Sequence, residues 1–219
     1  RAFAWNKDRG RIDHRYSAAR CWALAGQPDS AFYQLERIIN GGFYTNYIEL
    51  IFDDAFKTLY ADERWTRLVA TVKAKRDEAE PNLNRYLVAH VDTILRDDQF
   101  YRRQLDDVEK KHGRPSPEWD TLLNNMRKAD SINTAKVTTI LDKHGWLGAD
   151  VIGKEGNETL FLVIQHSKPE IQRKYLPMMR EAVKNGKAEP SDLALLEDRV
   201  ALGEGRKQIY GSQITRNPK

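Results

Sequence analysis

The sequence predicts a mainly α-helical protein: a helical hairpin array over residues 1–80, followed by an α-helical domain over 81–219 with at most a short β-hairpin. Apolar residues recur at steps of three and four along most of the chain, which is typical of amphipathic helices. Pro81, within "EAEPNLN", ends one such stretch and precedes another. Forty per cent hydrophobic and 31% charged residues are typical of an ordinary soluble, helix-rich protein.

Composition also narrows the function. The longest apolar run, "LFLVI" at 160–164, is far shorter than the roughly 20 residues that span a bilayer, so we expect no membrane span. The net charge of +4 is dispersed rather than gathered in a basic stripe, so we expect no nucleic-acid partner. Cys21 is predicted to be a small core residue. The chain begins at Arg1 without a methionine, which leaves a cytoplasmic protein and one exported after signal-peptide removal both open.

The first element is a helical hairpin in "YSAARCWALAGQPDSAFYQLERIINGGF". Its spacing of Ala19, Trp22, Gly26, Ala31 and Leu35 resembles a tetratricopeptide repeat, in which a glycine turn joins two closely packed helices. Residues 52–80 resemble a degenerate second unit. Such an array implies a groove for a peptide or protein partner, or else a packing extension of the rest of the chain.

The second element is predicted as one long helix from Leu83 to His112. Asp98 occupies a position on its apolar stripe, where a carboxylate is costly unless it is paired. Arg102 follows at i+4, the spacing at which two side chains meet. We therefore expect an inward-facing pair of Asp98 and Arg102, with Gln99 beside it.

Two shorter helices are expected next. Ser116 and Pro117 are typical of a helix start. A second start is predicted at Asp130 or Ser131, with Asp130 and Asn133 as capping residues and Ile132 on the inner face.

The apolar segment "TLFLVI" then leads to a junction that carries Gln165 and His166. Ser167 and Glu170 are predicted to form a capping box for the next helix. His166 is the one histidine of five whose position suggests chemistry, either as a general acid or base or as a buried structural side chain.

The last helix, in "PSDLALLEDRVALGEG", contains Asp198 and Arg199 among apolar residues. Adjacent helical residues diverge by about 100 degrees, so each charge needs a partner from elsewhere. We expect the tail to fold back and supply Gln208, Tyr210 and Gln213, with a β-hairpin near 150–163 or 206–213 as an option.

Six short motifs of the C-terminal part resemble a bacterial domain family of unknown function: "DDQFYR", "DSIN", "GW", "QH", "DR" and "QIYGSQ". The resemblance covers roughly residues 83–213. Leu147 and Ser212 depart from the family pattern, which more often has proline and threonine there. The resemblance implies no activity, but its motifs contain the same polar residues that are predicted to be buried, among them Asp98, Asp198 and Arg199.

Three functions stay open. The first is a binding module with a polar pocket for a small polar or peptide ligand. The second is a hydrolase or transferase that uses His166 with Asp198 and Arg199. The third is an interaction scaffold whose polar residues form a sealed structural network. The sequence shows no nucleophile elbow, phosphate loop or close histidine spacing, so we expect no cofactor and no metal. The candidate site residues are Asp98, Gln99, Arg102, Gln165, His166, Asp198, Arg199, Gln208, Tyr210 and Gln213.

Overall fold

The computed structural model describes residues 12–42 and 44–213, and over those residues it contains ten α-helices, one 3-10 helix and no strand. The predicted mainly α-helical class is therefore confirmed, and neither described part of the optional β-hairpins adopts strand structure. The helices are α1 (Ile12–Leu24), α2 (Pro28–Asn40), α3 (Tyr47–Phe52), the 3-10 helix Asp54–Leu59, α4 (Glu63–Ala79), α5 (Arg85–Arg102), α6 (Leu105–His112), α7 (Pro117–His144), α8 (Ala149–His166), α9 (Pro169–Lys184) and α10 (Pro190–Gly203).

The chain divides between Pro81 and Asn82 into two compact units. In the first unit α1 and α2 form a hairpin around Gly26, whose positive φ of 68° reverses the chain with little strain. Ala19, Ala31 and Leu35 are fully buried between the two helices. Small side chains at the contact allow the helices to pack closely, as the spacing predicts.

One residue of this hairpin lies elsewhere than predicted. Cys21 is exposed, because it lies on the side of α1 opposite Ala19 and Ala23, and Trp22 is 44% exposed. The prediction that Cys21 is a core residue is therefore wrong. The tetratricopeptide resemblance, and a peptide or protein partner at this hairpin, stay predictions.

The rest of the first unit packs its apolar residues into the same core. The 3-10 helix contributes Phe56 and Leu59, and α4 contributes Trp65, Leu68 and Val72, all of them buried. Within α4, Trp65, Leu68 and Val72 recur at steps of three and four residues and therefore lie on one face of the helix.

The second unit begins with α5, capped by the Asn84 side chain, which accepts a hydrogen bond from the amide of Leu87. The predicted continuous helix 83–112 is wrong, because the helix ends at Arg102 and α6 starts at Leu105. The side-chain amide of Gln104 donates to the carbonyl oxygen of Phe100 at 2.8 Å. That bond satisfies a carbonyl at the helix end and accompanies the break.

Helix α7 runs without interruption for 28 residues, so the predicted division into two helices at Asp130 is wrong. Neither Asp130 nor Asn133 caps a helix; both lie in its interior, where no proline or glycine stops it. Ile132, expected on the inner face, is 57% exposed, and Asn133 is 1% exposed instead. The register of the helix therefore turns the two polar residues inward.

Helix α8 includes the "TLFLVI" segment and is interrupted at Gly153, whose φ of 75° is non-helical. Gly156 lets α8 approach α5 closely, since a Cβ there would lie 2.9 Å from Cγ2 of Val91. Asn157 holds the loop after Trp146: its amide donates to the carbonyl oxygens of Leu147 and Lys187, both at 2.6 Å.

The junction between α8 and α9 does not contain the predicted capping box. Ser167 is the C-cap residue of α8, and Lys168 is the N-cap residue of α9, which makes no side-chain capping hydrogen bond. Gln172 stabilises this turn instead, because its amide donates to the carbonyl oxygens of Gln165 at 3.0 Å and Ser167 at 2.8 Å.

Helix α10 buries Leu196, Val200 and Ala201, whereas Leu202 remains 37% exposed. It is followed by the C-terminal segment 204–213, which has no regular secondary structure. Across the described residues, none of the helices combines the length and apolar character needed to cross a membrane.

Candidate functional site

A buried carboxylate at the end of α5 lies at the centre of the candidate site. Asp98 is 1% exposed, and its two oxygens have three side-chain neighbours. The amide of Gln99 donates to Oδ2 at 2.8 Å, His166 Nδ1 lies 3.1 Å from Oδ1, and Arg102 Nη1 lies 3.3 Å from Oδ1. These contacts compensate for the cost of burying a charge.

Arg102 links α5 to α7. Its Nη1 donates to the backbone oxygen of Asp98 at 2.6 Å and lies 2.8 Å from Oδ1 of Asp130. The contact with Asp130 is a short ionic one rather than a well-aligned hydrogen bond, since Oδ1 is buried and accepts none. Both side chains are 17% exposed, so the pair lies at the edge of the interior.

His166 is the last residue of α8, and its side chain is 21% exposed. An ionised Asp98 can only accept, so Nδ1 of the ring donates to it and the second ring nitrogen, Nε2, is not used by that contact. A carboxylate on one ring nitrogen fixes the tautomer and the orientation of the imidazole.

Helix α7 contributes a buried amide with no partner among the described residues. Asn133 is 1% exposed, and neither its oxygen nor its nitrogen has a hydrogen-bond partner there. It lies between two contacts that fix its position: Asp130 with Arg102, and Thr134, whose hydroxyl donates to Oγ of Ser167 at 2.7 Å. Asn133 is therefore buried on the face of α7 that also carries Asp130.

Gln165 contributes a second buried polar atom without a hydrogen-bond partner. The residue is 5% exposed, and its Oε1 has no hydrogen-bond partner in the described chain. Its backbone oxygen accepts from Nη1 of Arg199 at 2.8 Å, which connects α10 to the end of α8. We call these residues together the polar cluster: Asp98, Arg102, Asp130, Asn133, Gln165, His166 and Arg199.

Asp198, next to Arg199, is fully buried and holds the C-terminal segment. Its oxygens accept hydrogen bonds from the amides of Ile209 at 2.7 Å, Tyr210 at 3.0 Å and Ser212 at 2.8 Å. Burial alone raises the pKa of Asp198, but the hydrogen bonds from Ser212, Tyr210 and Ile209 outweigh it and lower the pKa to about 2.

The two glutamines of the C-terminal segment hold each other and orient Arg199. Gln208 donates to the backbone oxygen of Gln213 at 2.9 Å, and its Oε1 accepts from the Gln213 amide at 2.7 Å. Oε1 of Gln213 in turn accepts from Nε and Nη2 of Arg199 at 3.1 and 3.0 Å. Tyr210 contributes its backbone amide, while its side chain is 58% exposed.

The structure thus brings Asp98, Gln99, Arg102 and His166 into one contact network, and Gln165, Arg199, Gln208 and Gln213 into an adjoining one. It does not pair His166 with Asp198. Asp98 is the carboxylate at the imidazole, because three tail amides surround the carboxylate of Asp198.

The sequence did not identify Asp130 and Asn133 as members of the site. The signal was present in the spacing: Asp130, Asn133 and Val137 lie three and four residues apart, on one face of a helix. Because Asp130 is predicted to be a helix cap, a helix start is predicted there and the single continuous helix is not recognised. The family-like motif "DSIN" pointed to the same two residues.

The polar cluster combines charged and neutral hydrogen-bonding side chains. Its two guanidinium groups and two carboxylates give a formal charge of zero when the imidazole is neutral and +1 when it is protonated. Among the described residues, no group of three or more His, Cys, Asp or Glu side chains is placed to hold a metal ion. Recognition by hydrogen bonds and charge is the chemistry that these side chains supply.

In the comparison with known proteins, residues 81–217 match a family described as a family of unknown function (DUF6624). No curated protein and no solved structure matches the chain. The match extends over the whole second unit as far as residue 217, and therefore over every residue of the polar cluster.

Proposed function

The chain belongs to the DUF6624 family of unknown function through residues 81–217, and we propose that this part is a binding module for a small polar ligand held by the polar cluster. The observation that supports the proposal is a pair of buried amide side chains with unsatisfied atoms: both polar atoms of Asn133 and Oε1 of Gln165. A buried polar group without a partner costs about 1–3 kcal/mol. A ligand or ordered water that satisfies both amides would remove that cost.

The position of the two amides supports the same proposal. Asn133 and Gln165 lie beside groups that can recognise a ligand and retain some exposure to solvent, namely Arg102, His166 and Arg199. A sealed structural network would instead pair its buried amides internally. Partly exposed charges next to orphan amides are typical of ligand sites, where a few polar groups converge in a cleft.

Thermal unfolding of the purified chain against a panel of small polar molecules, neutral and charged, tests the proposal. We expect at least one molecule to raise Tm, since a ligand that binds the folded state stabilises it. Asn133→Leu should abolish that rise and leave the unliganded protein folded, because leucine has a similar volume and no unsatisfied group.

Asn124 provides a matched control on the same helix. It is exposed and accepts a hydrogen bond from Arg127 at 3.1 Å, away from the polar cluster. Asn124→Leu should keep the full ligand-induced rise in Tm. A panel in which nothing stabilises the wild-type chain, or a rise that survives Asn133→Leu, would contradict the proposal.

General acid–base catalysis at the same site is the second candidate function, favoured by the 3.1 Å contact between His166 Nδ1 and the buried Asp98 carboxylate. In this function Nε2 of His166 transfers a proton to or from the bound ligand, while Asp98 orients the ring. Incubating the chain with each stabilising ligand and analysing the mixture by mass spectrometry tests it. Turnover that His166→Gln abolishes without loss of binding supports catalysis; recovery of unchanged ligand excludes it for that ligand.

A further inference from the structure

Arg199 is an arginine held by neutral acceptors. Its three hydrogen bonds go to Oε1 of Gln213, which takes two, and to the backbone oxygen of Gln165. A guanidinium has five N–H groups, so two remain on Nη1 and Nη2. Between residues 12–42 and 44–213, no carboxylate lies within ion-pair distance of it.

Other arginines of the second unit differ in this respect. Arg180 pairs with Glu197 at 2.7 Å, Arg102 pairs with Asp98 and Asp130, and Arg206 pairs with Glu204. Arg199 is also half-buried, which weakens the screening of its charge by water. Burial lowers the pKa of Arg199, and the nearby positive charge of Arg102 lowers it further. Arg199 is therefore a positive charge in the polar cluster with no carboxylate paired directly with it.

We infer that the ligand of the polar cluster carries a carboxylate, which binds the two remaining N–H groups of Arg199. This inference rests on the proposed binding function and adds the chemical class of the ligand. Gln213 and the backbone oxygen of Gln165 fix the plane of the guanidinium group, so its two remaining N–H groups are already oriented.

A carboxylate fits this site better than a phosphate does. Two neighbouring N–H groups match the two oxygens of a carboxylate in a planar, bidentate pair. With His166 protonated the polar cluster carries one net positive charge, and Asp98 and Asp130 would repel a dianion. One negative charge is what the cluster can neutralise.

The amides add a second requirement for the ligand. Oε1 of Gln165 needs a donor, and Asn133 needs both a donor and an acceptor. A small carboxylic acid that also bears hydroxyl, amine or amide groups would satisfy them together with Arg199. Acetate is the minimal probe for the carboxylate, and acetamide is its neutral counterpart of the same shape.

The test is a titration of the ¹⁵N-labelled full chain with acetate, acetamide or phosphate at constant ionic strength, maintained with sodium chloride. The signals to follow in ¹H–¹⁵N spectra are the Nε–H of Arg199 and the side-chain amides of Gln165 and Gln213. We expect saturable shifts with acetate and at least tenfold weaker binding of acetamide and phosphate. Arg199→Lys, which keeps the charge but loses the fork, should weaken acetate binding at least tenfold.

Arg180→Gln is the control, because it removes an exposed, carboxylate-paired arginine and should leave acetate binding unchanged. Acetate shifts that do not saturate, or that Arg199→Lys leaves intact, overturn the inference. Acetamide or phosphate binding as strongly as acetate overturns the carboxylate class while leaving the binding function in place. Failure of the whole ligand panel with the wild-type chain is the separate result that removes the binding function itself.

Discussion

Replacing Asp98 by alanine should destabilise the second unit much more than replacing its neighbour Asp97. Asp98 is 1% exposed, and its carboxylate contacts Gln99, Arg102 and His166. Removing one partner of a buried ion pair costs about 3–5 kcal/mol, because the other charge is left buried without compensation. Arg102 keeps its contact with Asp130, so we expect a loss at the lower end, about 3 kcal/mol.

Asp97 is the matched control because it has the same chemistry one residue away. Its side chain is 36% exposed and lies 3.3 Å from both Arg96 and Lys136. Pairs of this kind contribute about 0–1 kcal/mol. Urea unfolding followed by circular dichroism gives the free energy of unfolding for Asp97→Ala and Asp98→Ala. An equal decrease in the free energy of unfolding for the two variants would refute the burial and pairing of Asp98.

Three further predictions concern pH and packing. Asp198 has a folded-state pKa of about 2, below its ordinary value. Its carboxylate therefore stabilises the fold above about pH 4, and this contribution is lost as the pH falls through 2. Asp198→Asn should flatten the acid limb of a Tm-versus-pH curve. The pKa of Asp192 is raised, first by burial and then by the negative charges of Glu158 and Glu189, so its ionised form destabilises the fold at pH 7. Asp192→Asn should therefore raise Tm at pH 7, and an unchanged or lower Tm would contradict this. Gly156→Ala should cost about 1–3 kcal/mol of unfolding free energy in urea, because the new Cβ would meet Val91, whereas Gly203→Ala, in open space, should cost nothing.

Periodicity was enough to predict the helical class and the inward position of Asp98. A single carboxylate in an otherwise apolar stripe, with an arginine at i+4, is a local pattern. The need of Asp198 and Arg199 for separate partners also follows from local geometry, since adjacent helical residues face different directions. These inferences required no knowledge of the tertiary structure.

Which carboxylate contacts His166 could not be predicted from the sequence. His166 contacts Asp98 rather than Asp198, and this depends on how α5 and α10 pack against the end of α8. The helix boundaries near Asp130 and Arg102 were also missed. At Asp130 a potential capping residue lies within a helix because its carboxylate has a tertiary partner, Arg102, and tertiary contacts of this kind override local preference.

The measurement that tests the central claim most directly is a crystal structure of the purified full chain at a resolution that shows ordered water. The claim is that the polar cluster is an open binding site, in which a ligand supplies the hydrogen-bond partners of Asn133 and of Oε1 of Gln165. It predicts density for water or a bound molecule within hydrogen-bond distance of the Asn133 amide and of Oε1 of Gln165, next to Arg199. A dry interior in which both amides bond to protein groups would contradict the claim and leave the cluster as a structural network.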